Sequence, residues 1–280
     1  MAINLDVIGK SFETTVFNYN PDTLILYALG LGASVDELDF VYEKNLKAFP
    51  TFAVVPFLPA LLNVFVPEAN LNMFAVLHGE QKIILRKPIA TSGTITTSLR
   101  CDSIYDKGDS GAIVNLSLES CDASGEVVFE NKAVLVDRKG GNFGGDRGPK
   151  TEKVEPPEGK TPDFTVEQTT SVDQTALYRL SGDKNPLHID PTFANKGGFD
   201  RPILHGLCSF GIAGKALVHE ICGSDPVKLK SFSVRFMNVA YPGDKLKTVG
   251  WKIDDGKYII RTTNQDGKII LGNAVAETNS

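Results

Sequence analysis

The sequence predicts an α+β chain that uses one plan twice: a long apolar helix followed by a run of antiparallel strands. Three observations predict it. Arg138 to Pro157 (RKGGNFGGDRGPKTEKVEPP) is rich in Gly, Pro and charge, with few apolar anchors, and cuts the 280 residues into halves of similar length. The order of elements is the same on both sides of that cut. The strand-like runs alternate apolar and polar residues, carry many Val, Ile and Thr, and are joined by Gly-Asp, Asp-Gly and Ser-Gly turns suited to hairpins. The expected units are therefore 1–140, a linker at 141–157, and 158–280.

In chain order, the first half holds DTLILYALGLGAS and KAFPTFAVVPFLPALLNVF. Its strands are AVLHGEQKIIL, GTITTSLRCDSIY, GAIVNLSLESCD and GEVVFENKAVLVD. The second half holds TALYRLSGDKNPLHID, the lead-in FDRPILHG, an apolar stretch to about Cys222, and the strands VKLKSFSVRF, DKLKTVGWKI, GKYIIRTTN and GKIILGNAVAE. A helix that is apolar nearly all round must be buried. A sheet wrapped around a central helix satisfies both patterns, which is the hotdog architecture, and two copies make a double hotdog. Gly206, Gly211 and Gly214 cost the second helix about 1 kcal/mol each against Ala. Close approach of its backbone to sheet or ligand is a plausible return.

Composition excludes some classes of function. With 29 Lys+Arg against 34 Asp+Glu the net charge is −5, so no basic bias attracts nucleic acid or an anionic membrane. An anionic ligand needs a local cluster of cations and backbone amides. The longest apolar stretch, Thr51 to Val66, is interrupted by Pro56, Pro59 and Asn63, so no membrane insertion is expected. Met1 to Lys10 has no signal-peptide core, and Glu277 to Ser280 matches no terminal sorting tripeptide. Cys101, Cys121, Cys208 and Cys222 form no CxxC pair and read as free buried thiols in a reducing compartment.

The chemistry is carried by Tyr178 to Pro191, YRLSGDKNPLHIDP. Pro186 biases Asn185 away from helical geometry, so the chain leaves a short helix between Gly182 and Asn185. On a continuous helix Asp183 and His188 would point about 140° apart. On a helix end followed by an irregular turn both can reach one point. A carboxylate and an imidazole on one water suit hydration of a polarised double bond, where the water loses a proton as its oxygen attacks and the α-carbon gains one. An isolated Asp-x4-His is also what a surface loop can carry.

This stretch resembles the signature of the (R)-specific 2-enoyl-CoA hydratases, the hydratase 2 family, in Tyr178, Ser181, Gly182, Asp183, Asn185, Pro186, Leu187 and His188. The resemblance extends to Arg201-Pro202-Ile203-Leu204-His205-Gly206 and Leu77-His78-Gly79-Glu80-Gln81, and over essentially the whole chain. It is close to the hydratase 2 domain of peroxisomal multifunctional enzyme type 2, in its fungal form. It implies a hydro-lyase that converts trans-2-enoyl-CoA reversibly into (R)-3-hydroxyacyl-CoA in β-oxidation. Asp183 and His188 would activate the water, Asn185 position it, and the Gly206 N–H at the helix start hold the thioester oxygen. A helix N-terminus is positive and suits that developing charge. The resemblance further implies no metal, no cofactor beyond the CoA of the substrate, a homodimer, a peroxisomal location, and a chain that can be joined to dehydrogenase domains in a longer parent.

The first half has Tyr27-Ala28-Leu29-Gly30-Leu31-Gly32-Ala33-Ser34 where the second has its motif, and nothing there can transfer a proton. One active site is expected. By resemblance this half accommodates the acyl chain and part of the CoA, with His78, Gly79 and Lys107 as substrate contacts and Phe236 from the second half as another. On sequence alone Lys107 is equally an exposed turn lysine and His78 equally a structural histidine. His205 reads as orienting the Gly206 turn, and His219 as helix C-terminal polarity. Gly140 to Gly148 opens no helix and is linker, not a phosphate loop. Asp102, Asp106 and Asp109 lack a calcium-loop pattern. The competing readings are a hotdog thioesterase, using a carboxylate and water at the carbonyl, and a non-catalytic acyl-CoA-binding module.

Overall fold

The computed structural model describes residues 2–150 and 152–279. The first half contributes β1 (Ser11–Tyr19), β2 (Val76–Leu85), β3 (Gly93–Asp106), β4 (Ala112–Cys121) and β5 (Val127–Asp137). The second contributes β6 (Phe164–Thr169), β7 (Leu229–Phe236), β8 (Lys245–Asp254), β9 (Lys257–Thr263) and β10 (Ile269–Thr278). All ten join one antiparallel sheet in the order β1-β3-β4-β5-β2-β7-β10-β9-β8-β6. Numbered within each half, both read first-third-fourth-fifth-second, so the internal repeat is present in the topology. The halves meet at β2 and β7, with Glu80 opposite Arg235 and Ile83 opposite Phe232. The Arg235 Nε donates to Glu80 Oε1 across that seam at 2.8 Å.

The helices are α1 (Pro21–Gly30), α2 (Leu38–Val41), α3 (Val66–Glu68), α4 (Gln174–Tyr178), α5 (Pro191–Lys196) and α6 (Gly206–Glu220). A capping box starts α1: Asn20 Oδ1 accepts from the Thr23 N–H at 3.0 Å, and the Thr23 hydroxyl accepts from the Asn20 N–H at 3.3 Å. The 15-residue α6 is the expected central helix, buried from Leu207 to Val218 except at Lys215. Phe210 on its inner face stacks on Phe232 of β7 at 4.7 Å. Truncating such a ring to Ala costs about 3–5 kcal/mol. A Cβ on Gly211 would lie 2.3 Å from the Leu31 side chain, so the glycine lets α6 close on the end of α1.

The first half departs from the expectation of a second long helix. Its apolar stretch forms a 3-10 turn at Pro50–Val54, a π-helical turn at Ala60–Phe65 and the short α3. Pro56, Pro59 and Pro67 remove backbone donors, so regular α-helical hydrogen bonding gives way to 3-10 and π turns along this stretch. The residues are buried as expected, but the wall they build is open.

The 141–157 segment carries no strand or helix among its described residues, yet it is docked. Asp106 accepts from the Gly108 and Asn142 amides at 2.8 Å and from Gly144 at 2.7 Å. Those amides, Gly108 first, hold its carboxyl down at about 2. Asp106 is thus the clasp of the linker and offers nothing to a cation. All four cysteines are free, and Cys121 is only half-buried, where full burial was expected. Among the described residues no helix is long and apolar enough to cross a membrane.

Candidate active site

A cleft of about 310 Å³ opens between the halves. The second half supplies Asp183, Asn185, His188 and Gly206 to its lining, and the first supplies His78, Gly79 and an apolar wall including Leu58, Leu61, Leu62, Val66 and Met73. Of the expected site residues, Asp183, His188, Asn185, Gly206, His78, Gly79 and Phe236 converge here. Lys107 does not. Its ammonium donates to the Arg147 carbonyl of the linker and lies 5.7 Å over the Tyr105 ring. The turn lysine is a clasp on the linker and does not line the cleft.

The local sequence sets the geometry of the pair. Gly182, at φ 127°, takes a backbone conformation that L side chains rarely adopt, and turns the chain out of the helical end after α4. The Asp183 carboxylate accepts from the Asn185 N–H at 3.2 Å. Asn185 Oδ1 in turn accepts from Leu187 N–H at 3.1 Å, capping the turn Pro186–His188. No protein acceptor takes the Asn185 amide NH2 among the described residues, so it is free to donate into the cleft. His188 Nδ1–H donates to the Ile203 carbonyl at 3.0 Å, which fixes Nε2 as the bare nitrogen. Burial lowers the His188 pKa below 6.5, opposed by the Asp183 charge, so the ring is neutral at pH 7.

Asp183, His188 and His205 bring ligand atoms within 4.8 Å of one another, a grouping that could in principle hold a metal. The His188 and His205 rings, however, stack at 3.8 Å with 28° between planes. Lone pairs of stacked rings run side by side and do not converge on one ion as tetrahedral ligation requires.

Gly206 opens α6, and its N–H meets no protein acceptor among the described residues. Glycine lets Phe236 pack close: a Cβ here would crowd two ring carbons at 3.2 Å. Phe236 packs against His78, ring centroids 5.1 Å apart. His78 reaches the cleft through a bulge, where the β2–β5 register slips between His78 and Glu80. Gly79 is the extra residue, and a Cβ there would lie 2.9 Å from Val136. His78 Nε2 is buried without a partner, and burial pulls its pKa down to about 4.

Sequence reasoning missed Arg138, which lines the cleft and donates to the Ala75 carbonyl at 3.2 Å and Gly197 at 3.0 Å. A strand-end arginine has no local signal for this. His219 is more than helix-end polarity: its Nε2 lies 2.9 Å from Glu37 Oε1, which ties α6 to the first half.

The double hotdog around this cleft is the fold of the MaoC-like proteins. The chain belongs to the MaoC-like hydratase 2 family. Residues 17–138 match the MFE-2 hydratase 2 N-terminal domain, and residues 153–272 match the MaoC like domain. It is 36% identical to a probable enoyl-CoA hydratase 2 of Dictyostelium discoideum, over 96% of this chain and 94% of that protein. It is 41% identical to the peroxisomal hydratase-dehydrogenase-epimerase of Neurospora crassa, over 96% of this chain but 30% of that protein. The structure of full-length peroxisomal multifunctional enzyme type 2 from Drosophila melanogaster superposes with a TM-score of 0.84 at 36% identity, covering 96% of this chain and 48% of that one.

Proposed function

We propose that this protein is a hydro-lyase that adds water across the 2,3 double bond of a trans-2-enoyl-CoA to give the (R)-3-hydroxyacyl-CoA. The observation that carries this reading is the bare His188 Nε2 beside the Asp183 carboxylate in the cleft. The family membership and the enoyl-CoA hydratase 2 name of the Dictyostelium relative support it.

In this reading Asp183, His188 and the Asn185 amide hold one water. Its oxygen attacks Cβ while the pair takes a proton. The π electrons move toward the thioester carbonyl, whose oxygen gains charge at the Gly206 N–H. The pair then returns a proton to Cα from the same side, so H and OH add to one face. The neutral state of His188 at pH 7 is what a general base needs. His78, Gly79 and Phe236 confine the thioester, and the apolar wall from Leu58 to Met73 takes the acyl chain. No cofactor enters any step, since CoA arrives with the substrate. The product is a secondary alcohol, chemistry that a dehydrogenase consumes. Attachment to such domains in a longer chain, peroxisomal β-oxidation as the setting and a homodimer as the assembly belong to the same proposal. The names and lengths of the Neurospora and Drosophila relatives support the first two.

The test follows loss of the enoyl-thioester absorbance with trans-2-decenoyl-CoA and identifies the product enantiomer. The wild type gives the R alcohol, and Asp183→Ala and His188→Ala each lose at least about 10²-fold in kcat. CoA release with the double bond intact turns the reading to a thioesterase. Tight binding without turnover turns it to a binding module.

A further inference from the structure

We infer that His205 is a positioning residue for this reaction, one side chain that sets Asp183, His188 and the Gly206 amide relative to one another. The inference rests on the hydratase reading and deepens it. His205 does not line the cleft; it is fully buried behind it. Its Nε2–H donates to the Asp183 backbone carbonyl at 3.1 Å. Its ring face lies 3.8 Å from His188. The Tyr178 ring also packs against it, centroids 4.9 Å apart, and Tyr27 of the first half packs 6.0 Å from Tyr178. The peptide that follows His205 carries the Gly206 N–H, because His205 is the N-cap of α6. Three of the four groups of the proposed chemistry therefore meet at one residue: Asp183 through a hydrogen bond to its imidazole, His188 by stacking on that ring, and the Gly206 N–H through its backbone.

Packing alone does not call for this residue. With Nε2 donating, Nδ1 is an acceptor, and it is buried with no partner. An unsatisfied buried acceptor is costly, and each one in a native structure asks for an explanation. An apolar ring of similar size would fill the space without that cost, but it could not grip Asp183. Burial, and then the neighbouring His188, keep His205 neutral, so it grips without placing a cation against the base.

The test compares His205→Phe, His205→Asn and His205→Gln with the wild type in the enoyl-CoA hydration assay. Phe keeps the ring and loses the donor. Asn is smaller, so it fits without a clash, but its amide falls short of the Asp183 carbonyl. Gln carries a donor near the reach of Nε2. The expected result is a kcat at least about 10-fold lower in Phe and Asn with KM within about threefold, and recovery toward wild type in Gln. Wild-type kcat in Phe or Asn overturns the inference. So does a loss that is the same in all three variants and follows their melting temperatures, which is a stability effect. A wild-type protein that does not hydrate enoyl-CoA sinks the hydratase reading instead, and is seen before any variant is made.

Discussion

The two halves put different residues at the same places, and the contrast explains why one cleft is equipped for chemistry. Gly206 opens α6 in the second half, whereas Pro50 opens the 3-10 turn in the first. Glycine offers an N–H at that point and proline has none. After α4 the chain turns at Gly182 into Asp183 and His188; after α1 it runs through Leu31, Gly32 and Ala33 with nothing to move a proton. A smaller cleft of about 260 Å³ lies where the repeat would put a second site, lined by Pro50, the end of β2 and the start of β7. Its cations are already paired, Lys47 with Asp39 and Arg86 with Glu130. In exchange, the broken helix of the first half gives the working cleft its apolar wall. In the proposed hydratase, one copy of the fold carries the reactive groups and the other gives the room around the substrate.

The largest expected effect makes the second half resemble the first. Gly206→Ala adds the Cβ that crowds Phe236 but keeps the N–H, and should retain most of the activity. Gly206→Pro adds that Cβ too and deletes the N–H, at a position where helices accept proline, after a residue at φ −57°, ψ 131° that suits a following proline. It should lower kcat by about 10²–10³-fold while circular dichroism shows the helix intact. Retained activity would mean that this amide does not hold the thioester oxygen.

Narrowing the first half's contribution should act on substrate length. Leu62→Trp fills the apolar wall and should cut kcat/KM for decenoyl-CoA about 10-fold, with the four-carbon enoyl-CoA changed less than about threefold. Equal losses for both substrates would place the acyl chain elsewhere.

The smallest effect is in the pH profile. In the proposed mechanism His188 acts as the neutral ring, and burial holds its pKa below 6.5. The acid-side decline in activity, where the ring takes a proton, should have its midpoint below 6.5. A decline centred above 6.5 would mean that the Asp183 charge outweighs burial.

Much of this contrast was legible in residue order. Burial alternates along all of β4 and along β5 from Phe129 on, and the Asp183–His188 spacing with Pro186 between already implies a turn that lets both converge. The edge strands β1 and β6 were missed. Ser11–Tyr19 exposes much of its length, and its pairing with β3 slips between Phe12 and Thr15, so alternation is blurred. The apolar content of the first half predicts its burial but not one long helix, because Pro56, Pro59 and Pro67 divide the stretch into 3-10, π and short α turns. Lys107 and His205 turned on partners 40 and 22 residues away in the chain, the Arg147 and Asp183 carbonyls, which no local pattern encodes.

The central claim is that a single Asp–His pair on one side of the substrate both delivers the water and protonates Cα. Hydration of trans-2-decenoyl-CoA in D2O, with the product analysed by NMR, tests it most directly. The account predicts one deuterium at Cα on the same face as the new hydroxyl, with R configuration at Cβ. Deuterium on the opposite face, or an S alcohol, would contradict it.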